Sequence, residues 1–402
     1  MTQSTPRPQT LALNAGLSPD PATRAIAPNI SMSVNNALAP GDGAFSADGA
    51  ADLTALPFLY ARWTNPTVRQ LEERVAALEG AGGAVCTATG LAAIAATFFT
   101  LLKAGDHLIV SDVCYAGANE LARRILPDYG IEVTAVNLSR PADLAAALRP
   151  NTRLVHAETP CNPLLRLTDL AEVSRLAHAA GALVSVDSTF ATPVATRPLD
   201  HGADLVIHSL TKFMNGHGDA LGGVVAGAKP LVERIRSRAG VYLGATLAAH
   251  SAWLIMRGLD TLWPRMQTAT ANAARVAAYL ADHPAVTAVT WPGLPGHPQA
   301  DLVARQMALA GGMLTFQTRD PRATAARLAE RLKTIHYAFS LGHQRSLVVL
   351  LDTEEMMAST WRLTGAQAED YRAWAGDGIF RLSIGLEAPE DLIADLAQAL
   401  GQ

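Results

Sequence analysis

The sequence predicts an α/β protein: a large, mostly parallel sheet covered by helices on both faces, followed by a smaller α+β unit. Three observations predict it. Between residues 56 and 256, short apolar runs alternate with Ala/Leu-rich helical stretches, the pattern of repeated β-α connections. The runs are close to continuously apolar, as in strands buried on both faces. At 402 residues, with 49% apolar and 17% charged side chains, the chain exceeds one ordinary core and can fill two.

Residues 1–55 are rich in Pro, Ala, Gly, Asn and Ser and show little periodicity, so alone they would stay unpacked, with Gly41-Asp42-Gly43 the most flexible spot. Strands are expected at His107–Ser111, Ile131–Val136, Thr152–Ala157, Ala182–Asp187, Asp204–His208 and Gly222–Ala226. Helices are expected at Thr67–Leu78, Asn119–Tyr129 and Asp169–Ala180, and a buried one from Leu91 to Leu102, far too short to span a membrane. A helix from Ala252 to Leu262 bridges to a unit covering 257–402. There Thr270–Asp282, Ala323–Leu332 and Pro389–Leu400 read as helices around strands at Met313–Gln317 and Leu347–Leu351.

A net charge of −4 offers no basic footprint for nucleic acid or an anionic membrane. Cys86, Cys114 and Cys161 have neither C-x-x-C nor metal-ligand spacing, so no metal is expected, and a reduced cytoplasmic setting is. The first residues contain no apolar signal core.

Chemistry concentrates at Lys212, in His208-Ser209-Leu210-Thr211-Lys212-Phe213-Met214-Asn215-Gly216. Small hydroxyl residues and a Gly-rich bend around a lysine at a strand's carboxyl end suit an amine that forms a Schiff base with an aldehyde cofactor. By itself the motif reads more readily as a surface lysine in a polar loop, a reading the rest of the chain overturns. Upstream, Ala182-Leu183-Val184-Ser185-Val186-Asp187 is an apolar run ending in a carboxylate, either a turn residue or an anionic partner for a pyridine nitrogen.

Asp187, Ser188-Thr189-Phe190 and Lys212 at this distance resemble the pyridoxal-phosphate enzymes of cysteine and methionine metabolism. The resemblance runs from about Thr10 to the C-terminus, with the motifs in the family's order. It implies a fold-type I transferase with pyridoxal 5'-phosphate covalently held at Lys212. Tyr60 and Arg62, in Tyr60-Ala61-Arg62-Trp63-Thr64-Asn65-Pro66-Thr67, match the pair that clamps the phosphate of a neighbouring subunit, a role a phenol and a guanidinium fill well. Gly90 and Leu91, in Ala88-Thr89-Gly90-Leu91, match a turn whose amides meet phosphate at a helix N-terminus, with Leu91 in place of the usual Met. Ser209 and Thr211 add hydroxyls. Tyr115 matches the tyrosine that stacks on the pyridine ring and moves protons. Asn162, in Glu158-Thr159-Pro160-Cys161-Asn162-Pro163, matches the partner of the cofactor's phenolic oxygen. Arg381 matches the arginine that holds the substrate carboxylate, and Ser340 the loop residue beside it.

The resemblance implies γ-elimination from a sulfur-containing or related L-amino acid such as cystathionine, methionine or homocysteine, to a 2-oxo acid and ammonia. γ-Replacement on an O-acyl-L-homoserine and β-elimination share the early steps and stay open; a purely binding role is disfavoured because Lys212, Asp187 and Arg381 are all present. The N-terminal arm would lie across a neighbouring subunit, in a tetramer built from dimers that share active sites. Departures from the family concern specificity. Many relatives read S-L-G-G-x-E-S-L, whereas this chain reads Ser340-Leu341-Gly342-His343-Gln344-Arg345-Ser346-Leu347. Arg345 replaces a glutamate, and Glu120 stands where several relatives have arginine. Both are expected near the distal part of the substrate, joined as a reversed ion pair. A free Glu120 would instead favour a cationic substrate tail. Ala248-Ala249-His250 and Trp263-Pro264 also depart from the family, with no function assigned.

Overall fold

The computed structural model describes residues 6–41, 46–47 and 52–401. Asp42 and Gly43 lie outside the described residues. Seven strands form the first sheet: β1 (Gly83–Thr87), β2 (His107–Ser111), β3 (Glu132–Val136), β4 (Thr152–Glu158), β5 (Leu183–Asp187), β6 (Leu205–His208) and β7 (Gly223–Gly227). Their order is β1-β7-β6-β5-β4-β2-β3. The pairs from β3 across to β6 are parallel, whereas β7 runs antiparallel to both its neighbours. Along β6, Val206 enters one apolar cluster while Leu205 and Ile207 enter the cluster on the opposite face. Burial on both faces is why strands such as β6 and β7 are apolar at nearly every position.

The second sheet contains β8 (Val286–Thr290), β9 (Met313–Thr318), β10 (His336–Tyr337), β11 (Leu347–Asp352) and β12 (Gly378–Ser383), in the order β10-β11-β12-β9-β8. It is antiparallel apart from β10 against β11, and helices Pro321–Arg331 and Pro389–Leu400 share its core. The α/β class and the mixed C-terminal layer therefore appear as the sequence predicts. Strand β1 was not foreseen.

Three local readings change. The segment expected as one helix over Asn119–Tyr129 is α-helical only at Ala116–Glu120, widens to a π-turn over Leu121–Ile125, and ends in a 3-10 turn over Leu126–Tyr129. Two forces distort it: Pro127 lacks the amide a regular turn needs, and Arg123 and Arg124 donate to the carbonyls of Trp361 and Ser359. The bridge is two helices, Ala249–Asp260 and the longer Leu262–Ala281, broken at Thr261. Pro264 accounts for the break, since a proline is tolerated in the first turn of a new helix and not inside a continuous one. The N-terminal arm is not wholly irregular: Pro8–Asn14 is helical and buries Ala12 against its own chain.

The helix Ala249–Asp260 lies directly under the loop that follows β6. Gly258 permits this, because a Cβ there would collide with the Asn215 carbonyl. Arg265, buried at the start of the next helix, donates to the carbonyls of Phe213 at 2.7 Å, Met214 at 3.3 Å and Gly258 at 2.7 Å. Burial holds its guanidinium down at about 10. Gly258→Ala should cost about 1–3 kcal/mol by overpacking this contact, measured as a lower midpoint in urea unfolding. An unchanged midpoint would mean that the helix can retreat from the loop.

Candidate active site

The carboxyl ends of β4, β5 and β6 lie side by side, with Glu158 paired to Asp187 across β4 and β5. Ligands of open α/β sheets gather at this edge. Here it opens into a cavity of about 530 Å³ lined by Thr89, Gly90, Leu91, Tyr115, Glu158, Asn162, Asp187, Thr189, Ser209, Thr211, Lys212, Ser340 and Arg381. Ten of the residues singled out from the sequence thus line one space (Gly90, Leu91, Tyr115, Asn162, Asp187, Ser209, Thr211, Lys212, Ser340 and Arg381), although they span almost three hundred positions.

Lys212 Nζ donates to Ser340 Oγ at 3.0 Å. Burial, and secondly the charge of Arg381, hold the amine below the ordinary lysine value. Arg381, on central strand β12, is 8% exposed. Its guanidinium donates to Asn162 Oδ1 at 2.8 Å and to the Ser340 carbonyl at 3.3 Å. Burial brings it down to about 10, against an opposing pull from Glu158. Ser340 adopts φ +87°, unusual for a residue with a side chain. Its turn is tied down by the Gly342 amide donating to Ser383 Oγ at 2.8 Å.

Asp187 is buried, which raises its carboxyl, while hydrogen bonds from Thr189 oppose the rise; the Thr189 amide donates to Oδ1 at 2.9 Å. Glu158 is the residue that sequence reasoning passed over. It accepts the amides of Tyr115 and Asn162, each at 2.6 Å, so one carboxylate orients two loops. Burial and then Asp187 push its own carboxyl up. The signal was present in the E-x-P-x-N-P segment. Thr189 was also visible, two residues after Asp187; its Oγ accepts the Ser209 amide at 2.9 Å. Met356 and Trp361 complete the cavity from a segment with no local signal.

On the opposite wall, Thr89 caps helix Gly90–Leu101 by accepting the Ala92 amide at 3.0 Å. The first amides of a helix have no intrahelical acceptor and attract an anion. Gly90 has no room for a side chain, because a Cβ would lie 2.7 Å from Ser209 Cβ, and the helix start is thereby brought against the Ser209–Lys212 loop. An amine, a carboxylate and an anion-binding helix start around one cavity fit an aldehyde cofactor that carries a ring nitrogen and a phosphate.

Four other singled-out residues lie elsewhere. Tyr60 and Arg62 stack on each other, with 5.4 Å from the guanidinium to the ring centroid, and Arg62 also donates to the Val241 carbonyl. Neither lines the cavity of its own chain, and Tyr60 is 42% exposed. Glu120 and Arg345 form no ion pair with each other, which corrects the expected reversed pair. Arg345 is exposed on the bend before β11. Glu120 ends the short helix that Tyr115 begins, part-buried and close enough to help raise the Tyr115 phenol, after burial, Asp187 and Glu158. The arginines three and four residues on, natural helical partners for Glu120, are engaged by the carbonyls of Trp361 and Ser359 instead.

Residues 9–401 match the family described as Cys/Met metabolism PLP-dependent enzyme. The chain belongs to that family. This PLP-dependent enzyme is 40% identical over 396 residues to a canavanine gamma-lyase of Pseudomonas canavaninivorans, covering 98% of this chain and 96% of the relative. It is 41% identical over 343 residues to an L-methionine gamma-lyase of Pseudomonas deceptionensis, covering 85% and 84%. Its fold superposes with a TM-score of 0.85 on the crystal structure of cystathionine gamma-lyase from Lactobacillus plantarum complexed with L-serine, at 34% identity and with 98% of each chain covered. The family's cofactor is pyridoxal 5'-phosphate, and the cavity around Lys212 has the groups to hold it.

Because Arg381 depresses Lys212, the sign of its removal is determined. In Arg381→Gln the amine becomes more basic and is more protonated at any given pH. The pH at which Lys212 of the cofactor-free protein reacts with an amine reagent should move upward, read by mass spectrometry of the labelled peptide. A downward or absent shift would mean that the guanidinium charge does not reach the amine.

Proposed function

We propose that this enzyme eliminates the γ-substituent of an L-amino acid, releasing a 2-oxo acid and ammonia. The observation that carries the reading is the meeting of Lys212 Nζ, Arg381 and Tyr115 in one cavity, with the amine 3.0 Å from Ser340 Oγ. Pyridoxal phosphate, when bound, supplies the electron sink that stabilises negative charge at Cα. Arg381 takes the substrate carboxylate with its planar fork. Lys212, kept easily deprotonated by its surroundings, removes the Cα proton and then carries it. Tyr115, whose phenol is raised and so stays protonated, has a proton to give to the departing group. Asp187 presents an anion to the cofactor's ring nitrogen. Asn162, with Oδ1 taken by Arg381, offers its Nδ2 amide to the phenolic oxygen. The Gly90 and Leu91 amides with Ser209 and Thr211 form the phosphate cradle.

Tyr60 and Arg62 complete that cradle from a neighbouring subunit. Their position outside the cavity of their own chain supports the assignment. Mixing Arg62→Ala subunits with Lys212→Ala subunits, after dissociation and reassembly, should restore activity that neither parent has. No recovery would place the pair's role within one chain.

Glu120 does not line the cavity, but it ends the short helix that Tyr115 begins at the cavity wall and gets no cation from its own helix. It therefore suits a substrate long enough to present a cationic distal group there, as canavanine presents its guanidinooxy group. The test is product analysis of the cofactor-loaded enzyme with L-methionine, L-cystathionine and L-canavanine. 2-Oxobutyrate from methionine or cystathionine establishes γ-elimination; pyruvate from cystathionine would mean β-elimination and overturn the proposal. Glu120→Gln should lower the canavanine-to-methionine ratio of kcat/KM about tenfold, as expected for losing one hydrogen bond to a charged group. An unchanged ratio would remove Glu120 from substrate recognition.

A further inference from the structure

If Lys212 removes the Cα proton, it ends the step holding a charge that must be discharged before it can act again. The cavity wall contains one route for that proton. Ser340 Oγ, the acceptor for Lys212 Nζ at 3.0 Å, is also 3.3 Å from His343 Nε2. His343 does not line the cavity; it stands behind Ser340, part-buried, on the bend between β10 and β11. At this position the S-L-G-G pattern has a glycine, so the imidazole is a group this chain adds.

The ring is held in place by its packing. It lies over Gly218, where a Cβ would come 2.8 Å from His343 Cε1. The next residue, Gln344, donates its amide to the Gly216 carbonyl at 2.8 Å. The bend that carries His343 is therefore stitched to the loop that carries Lys212. The charged groups acting on the imidazole are Lys212, Arg345 and Asp219.

We propose that His343 is a positioning residue that relays protons between Lys212 and water through Ser340. The protonated amine gives a proton to Ser340 Oγ as that hydroxyl passes its own proton to His343 Nε2. The ring then releases its Nδ1 proton to water. In the reverse transfers Nδ1 takes a proton from water and Nε2 returns one through Ser340 to the amine, which restores the starting tautomer. Charge and protons balance at each transfer, and no further reactant is needed. The relay requires a neutral ring with Nε2 unprotonated; an imidazolium has no lone pair to offer Ser340 and closes it. Burial, then Lys212 and Arg345, push the imidazole below its ordinary value, while Asp219 opposes them. The ring thus stays neutral, and the relay open, further into the acid range than for a free histidine.

This inference rests on Lys212 being the base, and the test separates the two. The holoenzyme is incubated in D2O with L-norleucine, which has no group to lose from Cγ, and Cα-hydrogen exchange is followed by NMR. Cofactor absorbance reports that the site is intact in each variant. His343→Gln and His343→Gly should slow exchange by about a hundredfold, the low end of what a positioned proton-transfer group contributes. Both should lose the acid limb of the wild-type pH profile, and added imidazole should restore exchange in His343→Gly. Wild-type exchange in both variants, or slow exchange that imidazole leaves unchanged, would overturn the relay. Exchange that persists in Lys212→Ala would instead remove Lys212 as the base, and with it the reading on which the relay depends.

Discussion

The placement of one short loop governs this protein. The segment after β6 carries Lys212 to a seam where the two sheets meet, and its carbonyls are gripped by groups from elsewhere. Arg265 takes those of Phe213 and Met214, and the Gln344 amide takes that of Gly216. Two glycines allow the approach. Gly258 brings a helix under the loop, and Gly342 brings the Ser340 turn against it, since a Cβ at Gly342 would lie 2.6 Å from the Phe213 amide nitrogen. An amine placed this way loses little freedom when it acts, which is the condition for catalysis by orientation.

The electrostatics follow from the same seam. Asp187 and Glu158 come from neighbouring strands of the first sheet, whereas Arg381 comes from the centre of the second. Burial and then Asp187 raise Glu158, Arg381 opposes that rise, and burial and then Arg381 depress Lys212. Lys212 is displaced in the direction its task requires, toward an amine readily deprotonated, whereas Arg381, brought down to about 10 by burial, still keeps its charge at neutral pH. Glu158 contributes geometry more than charge transfer, since its two oxygens fix the amides on which Tyr115 and Asn162 are mounted. A carboxylate at a strand end thereby sets both the ring-facing tyrosine and the amide that meets Arg381.

Much of this was readable in advance, for physical reasons. Strands β2, β4, β5 and β6 are buried along almost their whole length, so their apolar runs stand out within a few residues. The N-P before helix Pro66–Glu79 marks its start because Asn65 caps the Thr67 and Val68 amides while Pro66 needs no hydrogen bond there. The helix expected over Asn119–Tyr129 was misread because its shape is dictated by carbonyls more than two hundred residues away. The failure of the Glu120–Arg345 pairing has a different cause: sequence shows that both charges exist, and only packing shows that Arg345 stands exposed on the bend before β11, away from Glu120.

The sequence by itself determined the chemistry. Lys212, Asp187, Tyr115 and Arg381, with their spacing and flanking motifs, point to a pyridoxal-phosphate enzyme because that cofactor needs an amine, an anion and a carboxylate anchor in a particular order along the fold. Tertiary structure alone decided which of these groups feel one another. It set Ser340 between Lys212 and His343, gave Glu158 its two amides, and left Tyr60 and Arg62 outside the cavity of their own chain. These relations depend on distances of a few ångströms between segments far apart in the chain, and no local pattern encodes such a distance.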